Sequence, residues 1–151
     1  MNFRVIILFI NILLVSLLGC KKDNGPNWIY CQECSADNWI GSYSGQGDYF
    51  NGSENKQYLQ VETLMDIVQL NGNALQMNIV VPDFYQVSFY TTKDDNEYYI
   101  NVPGSNKSLY LVLAKSGSQS RITGTAKSYR YKVDSLIVDH SVSFEVIKPE
   151  K

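Results

Sequence analysis

The chain has 151 residues, enough for one domain and hardly two, with 13 basic and 15 acidic side chains, one His and three Cys. No basic stripe or Lys/Arg cluster occurs beyond Lys21-Lys22, which excludes a nucleic-acid partner. One histidine and three cysteines supply a metal centre poorly, and neither metal nor cofactor is expected.

The first element is not part of a fold. Met1-Asn2-Phe3-Arg4 carries one positive charge, and Val5 to Leu18 is apolar except for Asn11 and Ser16. A spanning helix needs roughly 20 apolar residues, so this shorter run reads as the apolar segment of a secretory signal. Leu17-Leu18-Gly19-Cys20 resembles the lipobox of bacterial lipoproteins, with Leu at −3, a small residue at −1 and Cys at +1. Leu18 at −2 departs from the commoner Ala, Ser, Thr or Val. The resemblance implies cleavage after Gly19, lipidation of Cys20, and a membrane partner held through the lipid anchor. Two or more acyl chains anchor stably where one does not. An uncleaved short anchor, or an ordinary signal with a chance Cys, are the alternatives.

Residues 1–19 are therefore expected to be the signal and 20–37 the lipidated Cys with a flexible tether. Lys21-Lys22-Asp23-Asn24-Gly25-Pro26-Asn27 is polar and broken by Gly and Pro. Lys rather than Asp follows the Cys, which favours the outer membrane of the cell envelope. The Cys-Lys-Lys-Asp-Asn start is similar to lipoproteins of Bacteroides-type bacteria, some of them displayed on the cell surface. Periplasmic face and cell surface both stay open.

Cys31 and Cys34 follow, spaced Cys-Gln-Glu-Cys. An even remainder in an oxidising compartment suggests a disulfide between them. A free pair, a redox site and a metal site are the alternatives. The redox site would need a surrounding βαβ pattern, which is missing. A loop this short removes little chain entropy, so a small effect on stability and a place outside the core are expected.

From residue 38 to 151 the apolar period is two, with turn residues about every ten positions. Trp39, Gly41, Tyr43, Gly45 and Gly47 share one face of a first strand. Leu59, Val61 and Thr63 mark a second; Thr63 to Leu70 also allows a helical turn, but strand is preferred. Asn71-Gly72 suggests a type I′ hairpin. Leu75, Met77, Ile79 and Val81 alternate until Pro82-Asp83. Val87 and Phe89, then Tyr98, Ile100 and Val102, then Leu109, Leu111 and Leu113 form further strands. Ile122 to Tyr131, and Leu136 to Val146 with a short break, complete the set. About eight antiparallel strands joined by sequential hairpins predict an all-β up-and-down meander, with a β-sandwich as the alternative.

Trp39-Ile40-Gly41-Ser42-Tyr43-Ser44-Gly45, Ile122-Thr123-Gly124-Thr125-Ala126 and Phe144-Glu145-Val146 resemble motifs of calycin-like β-barrel lipoproteins from Bacteroides-type bacteria. The likeness spans about 110 residues and implies a barrel-like domain over 38–151, without implying a function. Asp134-Ser135-Leu136 also resembles the O-glycosylation pattern of periplasmic proteins from such bacteria, which marks Ser135 as a modification site.

Chemistry-bearing residues are sparse. Asp139-His140-Ser141 suggests a triad, but adjacent strand residues point to opposite faces, so neither neighbour is expected to orient the imidazole. A surface or edge histidine is expected. Carboxylates are scattered, and no motif selects a pair about 5–10 Å apart as a glycosidase needs. Asp94-Asp95-Asn96-Glu97 reads as a solvated hairpin tip rather than a calcium loop. No catalytic residue is assigned.

Eleven tyrosines exceed what one small core requires. Trp39, Tyr43, Tyr85, Tyr90, Tyr99 and Tyr110 are the candidate ligand-binding aromatics, since amphipathic rings suit sugar faces and protein interfaces alike. Ordinary cross-strand pairing is the competing explanation. The sequence thus points first to a lipid-anchored, non-enzymatic β domain that binds an unknown ligand or protein partner. A surface glycan-binding accessory protein comes next, then a structural or assembly role, and a hydrolase last. A deep apolar mouth would favour a small ligand, a flat row of exposed rings a glycan, and a large apolar patch a protein.

Overall fold

The computed structural model of the protein describes residues 25–93 and 97–149. The signal, Cys20 and the acidic run Asp94-Asp95-Asn96 lie outside the described residues. Nine strands and one short helix follow in chain order: β1 (Ile29–Tyr30), α1 (Ala36–Trp39), β2 (Gly41–Asn51), β3 (Lys56–Gln69), β4 (Ala74–Val81), β5 (Tyr85–Thr92), β6 (Tyr99–Val102), β7 (Lys107–Ser116), β8 (Gln119–Lys132) and β9 (Ser135–Lys148).

The domain is an all-β antiparallel meander, as the alternating pattern predicts. Sheet order is β1-β7-β8-β9-β2-β3-β4-β5, with β6 beside β7. Two runs of consecutive hairpins, β2 to β5 and β6 to β9, are joined by the β2–β9 ladder. Of the segment 63–70, residues 63–69 are strand rather than helical turn. Its inward Thr63, Met65 and Ile67 are buried, and helical spacing would have turned them out.

The barrel does not close. Among the described residues β5 pairs only with β4, and β6 only with β7. One edge of each is left facing a seam. Backbone groups of successive strand residues alternate sides. Tyr98 O accepts from Leu113 N of β7, so the amides of Tyr99 and Asn101 face the seam. Lys107 donates its ammonium to Ser88 O of β5 across that seam. The interior is nevertheless one cluster, with Phe89 from β5, Ile100 from β6 and Leu109 from β7 belonging to it. Among the described residues it is filled with buried side chains.

The turns follow their sequences with one exception. Val81-Pro82-Asp83-Phe84 closes on Phe84 N→Val81 O at 3.0 Å, with Asp83 at φ 64°, a type II turn with Pro at its second position. Around Asn71-Gly72 only Gly72 has positive φ, so the type I′ turn does not form, since that needs two such residues. β3 carries a bulge where Gln60, at φ 53°, donates its amide to Asp48 Oδ1 at 3.0 Å.

Among the described residues, the segment from Cys31 to β2 packs on the domain rather than serving as tether. Trp39 belongs to α1 rather than to the first strand, and Cys34, Ala36 and Trp39 are buried in the core cluster. Tyr43 of β2 donates to Trp39 O at 2.9 Å, which fixes α1 beneath the sheet. The domain's ordered packing thus starts near β1, ahead of residue 38. Cys31 and Cys34 are joined, with Cα atoms 5.5 Å apart, and Cys34 sits inside the core rather than outside it. Substituting both cysteines with Ser should therefore cost about 1–3 kcal/mol, the range for leaving a buried polar group unpaired. Cys31→Ala/Cys34→Ala should cost less; equal denaturation midpoints for wild type and both doubles would refute this account.

Candidate functional site

Antiparallel order puts the β2–β3, β4–β5, β6–β7 and β8–β9 turns at one end of the domain. The chain enters at the other, beside α1. Two aromatic assemblies occupy the surface, one at the turn end and one along the free edge.

The first centres on His140. Asn51 of β2 is in register with His140 of β9. On the other side Ser128 pairs with His140 and Tyr129 with Val138, so Asp139 is the extra residue of a bulge. The bulge cancels the alternation that should separate neighbours, and Asp139 reaches its own neighbour, Oδ2 lying 3.4 Å from His140 Nε2. This corrects the expectation that neither flanking residue could serve the imidazole. Tyr49 Oη lies 2.7 Å from His140 Nδ1, and Arg130 Nε holds Asp139 at 2.9 Å. Ser53 Oγ donates to the same carboxylate at 3.2 Å. Gly52 N donates to Asp139 O at 2.6 Å; a side chain on Gly52 would collide with Val138 O.

Rings surround this centre. Tyr85 stacks on His140 at 5.0 Å, and Tyr49 contacts Tyr58, Phe84 and Tyr85 at 5.6–5.9 Å. Burial, then the neighbouring Tyr85 and the Glu54 charge, raise the Tyr49 phenol above its usual pKa, so it stays neutral and holds its proton. Tyr85 is likewise raised by burial, with Ser128 opposing and Asp139 adding to the shift. The Tyr85 and Ser128 hydroxyls are buried, and neither reaches hydrogen-bonding geometry. Both ring nitrogens of His140 are engaged, and Tyr49 is 1% exposed.

The second assembly is a row on the outer surface. Tyr30 stacks on Tyr98 at 5.3 Å, Tyr98 meets Tyr99 edge-on at 5.6 Å, and Tyr99 stacks near Tyr110 at 6.3 Å. Their exposures are 60, 37, 37 and 47%. β1 and β6 lie end to end along the same edge of β7, pairing with Lys115 and Ala114 and with Val112 to Leu109. That arrangement is what makes the row continuous.

Of the candidate aromatics, Tyr99 and Tyr110 lie in the row, and Tyr90 is exposed beside the seam. Tyr85 belongs to the His140 cluster. Trp39 and Tyr43 are core residues, closed to any ligand from solvent, Trp39 on the buried side of α1 and Tyr43 on the inward face of β2. Tyr98, read as a strand residue and one of the surplus tyrosines, and Tyr30 complete the row; Tyr30 alone is missed by sequence reasoning, because it stands in what reads as tether and its one signal is Ile29-Tyr30 beside the cysteines. Ser135 is exposed next to the β8–β9 turn. A shallow depression of about 400 Å³ over Ser44, Leu64, Asp66, Asn78 and Val80 lies on the outer face of β2 to β4. Among the described residues no group of three or more His, Cys, Asp or Glu could hold a metal, and no helix is long and apolar enough to cross a membrane.

No protein-family model, no curated protein and no solved structure matches this chain.

Proposed function

We propose that the protein is a lipid-anchored envelope protein, held by Cys20 at the outer membrane, whose β domain binds a saccharide without transforming it. The observation that carries this reading is the row Tyr30, Tyr98, Tyr99 and Tyr110, four tyrosines in unbroken contact and open to solvent. Such rings offer apolar faces to sugar C–H groups and hydroxyls to sugar oxygens. The filled interior speaks against a small apolar ligand held in a barrel mouth. The His140 centre supports a structural rather than catalytic role. The hydroxyl facing His140 Nδ1 belongs to Tyr49, which is 1% exposed, so a substrate from solvent does not reach the pair.

A protein partner is the second reading. The β8–β9 hairpin end, where Tyr129 to Lys132 pair only with β9, presents Tyr131, Val133 and Leu136 to solvent. The same hairpin would offer Ser135 for glycosylation.

The test is a glycan array probed with the detergent-solubilised protein. Retained glycans should lose about 1–3 kcal/mol of affinity on Tyr99→Ala/Tyr110→Ala, taking aromatic anchors as the guide. His140→Ala should leave affinity unchanged. A hydrolytic activity abolished by His140→Ala in a folded protein would overturn the reading in favour of an enzyme.

A further inference from the structure

We propose that Trp28, Ile29, Tyr30 and Tyr98 dock the domain on the lipid surface that holds its anchor. This rests on the lipidation of Cys20 in the reading above and adds an interaction surface to it. Tyr30 pairs with Ala114 of β7, and Ala114 with Arg121 of β8, so these side chains share one face. It is the outer face, since their neighbours Leu113 and Ile122 point into the core, and it also carries Tyr99 and Tyr110. The Arg121 guanidinium lies 4.6 Å from the centre of the Trp28 ring, and Tyr98 stacks on Tyr30 at 5.3 Å. Contact and register thus join Trp28, Arg121, Tyr30 and Tyr98 into one patch. Ile29 stands at its rim where the chain enters, 64% exposed and outside the core cluster.

The length of chain ahead of the patch says what covers it. Cys20 is eight residues from Trp28, a span of at most about 26–29 Å when fully extended. β8, with 14 residues, runs about 46 Å by the rise of a strand. The patch therefore stays near the bilayer, whereas the β8–β9 turn can stand farther off. Tethering makes docking intramolecular, so a small patch suffices at the high effective concentration of lipid. Trp and Tyr settle at headgroup level, with an apolar body toward the acyl chains and a polar tip toward water. Ile29 adds an apolar side chain to the same contact. Arg121 is paired with Glu145 at 3.4 Å, so the patch works through its rings rather than through net charge. Tyr110 lies four residues beyond Ala114 on β7, about 13 Å farther from the chain entry. Docking holds Tyr99 and Tyr110 above the headgroups, clear for a saccharide.

The experiment is depth-dependent fluorescence quenching. Full-length lipidated protein is reconstituted in phosphatidylcholine vesicles whose acyl chains carry bromine either near the headgroup or near the methyl end. Trp39 is fully buried, so Trp28 is the tryptophan that lipid bromine can reach. Shallow bromine should quench wild-type emission by up to about half, since one of two tryptophans is in reach, and deep bromine much less. Trp28→Phe should lose the quenching. Ile29→Ser/Tyr30→Ser should lose it too, while flotation with the vesicles, which reads the anchor, stays complete. Tyr30→Phe should keep it, and circular dichroism checks the fold of each variant. Flotation without quenching, or quenching indifferent to Ile29→Ser/Tyr30→Ser, overturns the docking while the anchor reading stands. Wild-type protein that does not float overturns both. Emission that follows protein density rather than bromine assigns the patch to a second copy and overturns the proposal.

Discussion

Trp39→Ala is expected to destabilise the domain by about 3–5 kcal/mol, the usual cost of removing a large aromatic from a packed core. Trp39 is fully buried, its carbonyl accepts the Tyr43 phenol, and α1 has few other ties to the sheet. With a typical total stability of about 5–15 kcal/mol, such a loss approaches unfolding. Trp39→Phe should cost much less. The indole Nε1 is buried without a hydrogen-bond partner, so removing it relieves an unpaired donor while keeping most of the apolar contact. Urea denaturation followed by circular dichroism decides between these outcomes. If Trp39→Ala moves the midpoint no more than Trp39→Phe, α1 does not cap the core.

Cys20→Ala is expected to abolish acylation outright, because the thiol is the only atom at that position able to carry a thioether-linked lipid. The variant should retain residues 1–19 and take up no fatty-acid analogue, whereas wild type takes up label and lacks the mass of the signal. Metabolic labelling followed by intact-mass measurement reads both. Wild-type protein without label would end the anchor proposal, and with it the outer-membrane assignment. Tight anchoring needs more than one acyl chain, so partial labelling with soluble protein would point to incomplete maturation rather than to another anchor.

Much of the meander was legible because period two is a direct record of which face is buried. Leu75, Met77, Ile79 and Val81, and Val142, Phe144 and Val146, are inward in the structure as their alternation says. Residues governed by register rather than period were not legible. Asp139 and His140 meet only because a bulge on β9 adds one residue against β8, a fact that depends on where strands 128 and 140 align. Trp39 follows the alternation of β2 numerically but is helical, because Ser35 and Asn38 form a capping box that starts a turn. The open seam was hidden for a similar reason: closure depends on the twist and spacing of strands, which the apolar pattern does not encode. The tyrosine row needed β1, and two residues beside a Cys pair are too few to show any period.

The β2–β9 ladder also bears on how the protein is made. It pairs Ser44 with Ile147 and Asn51 with His140, residues about 90–100 positions apart, while almost every other ladder joins neighbours in sequence. Contacts that distant form slowly, since a long loop must be ordered before they contribute. Synthesis from the amino end delivers β2 early and β9 last of the strands. Until then β2 has only β3 beside it, and its other edge, with Tyr43 and Tyr49 still uncovered by Val142, Phe144 and Val146, remains open to the surroundings. The interval between the appearance of β2 and the arrival of β9 is thus the period in which the nascent protein is most exposed to aggregation and proteolysis.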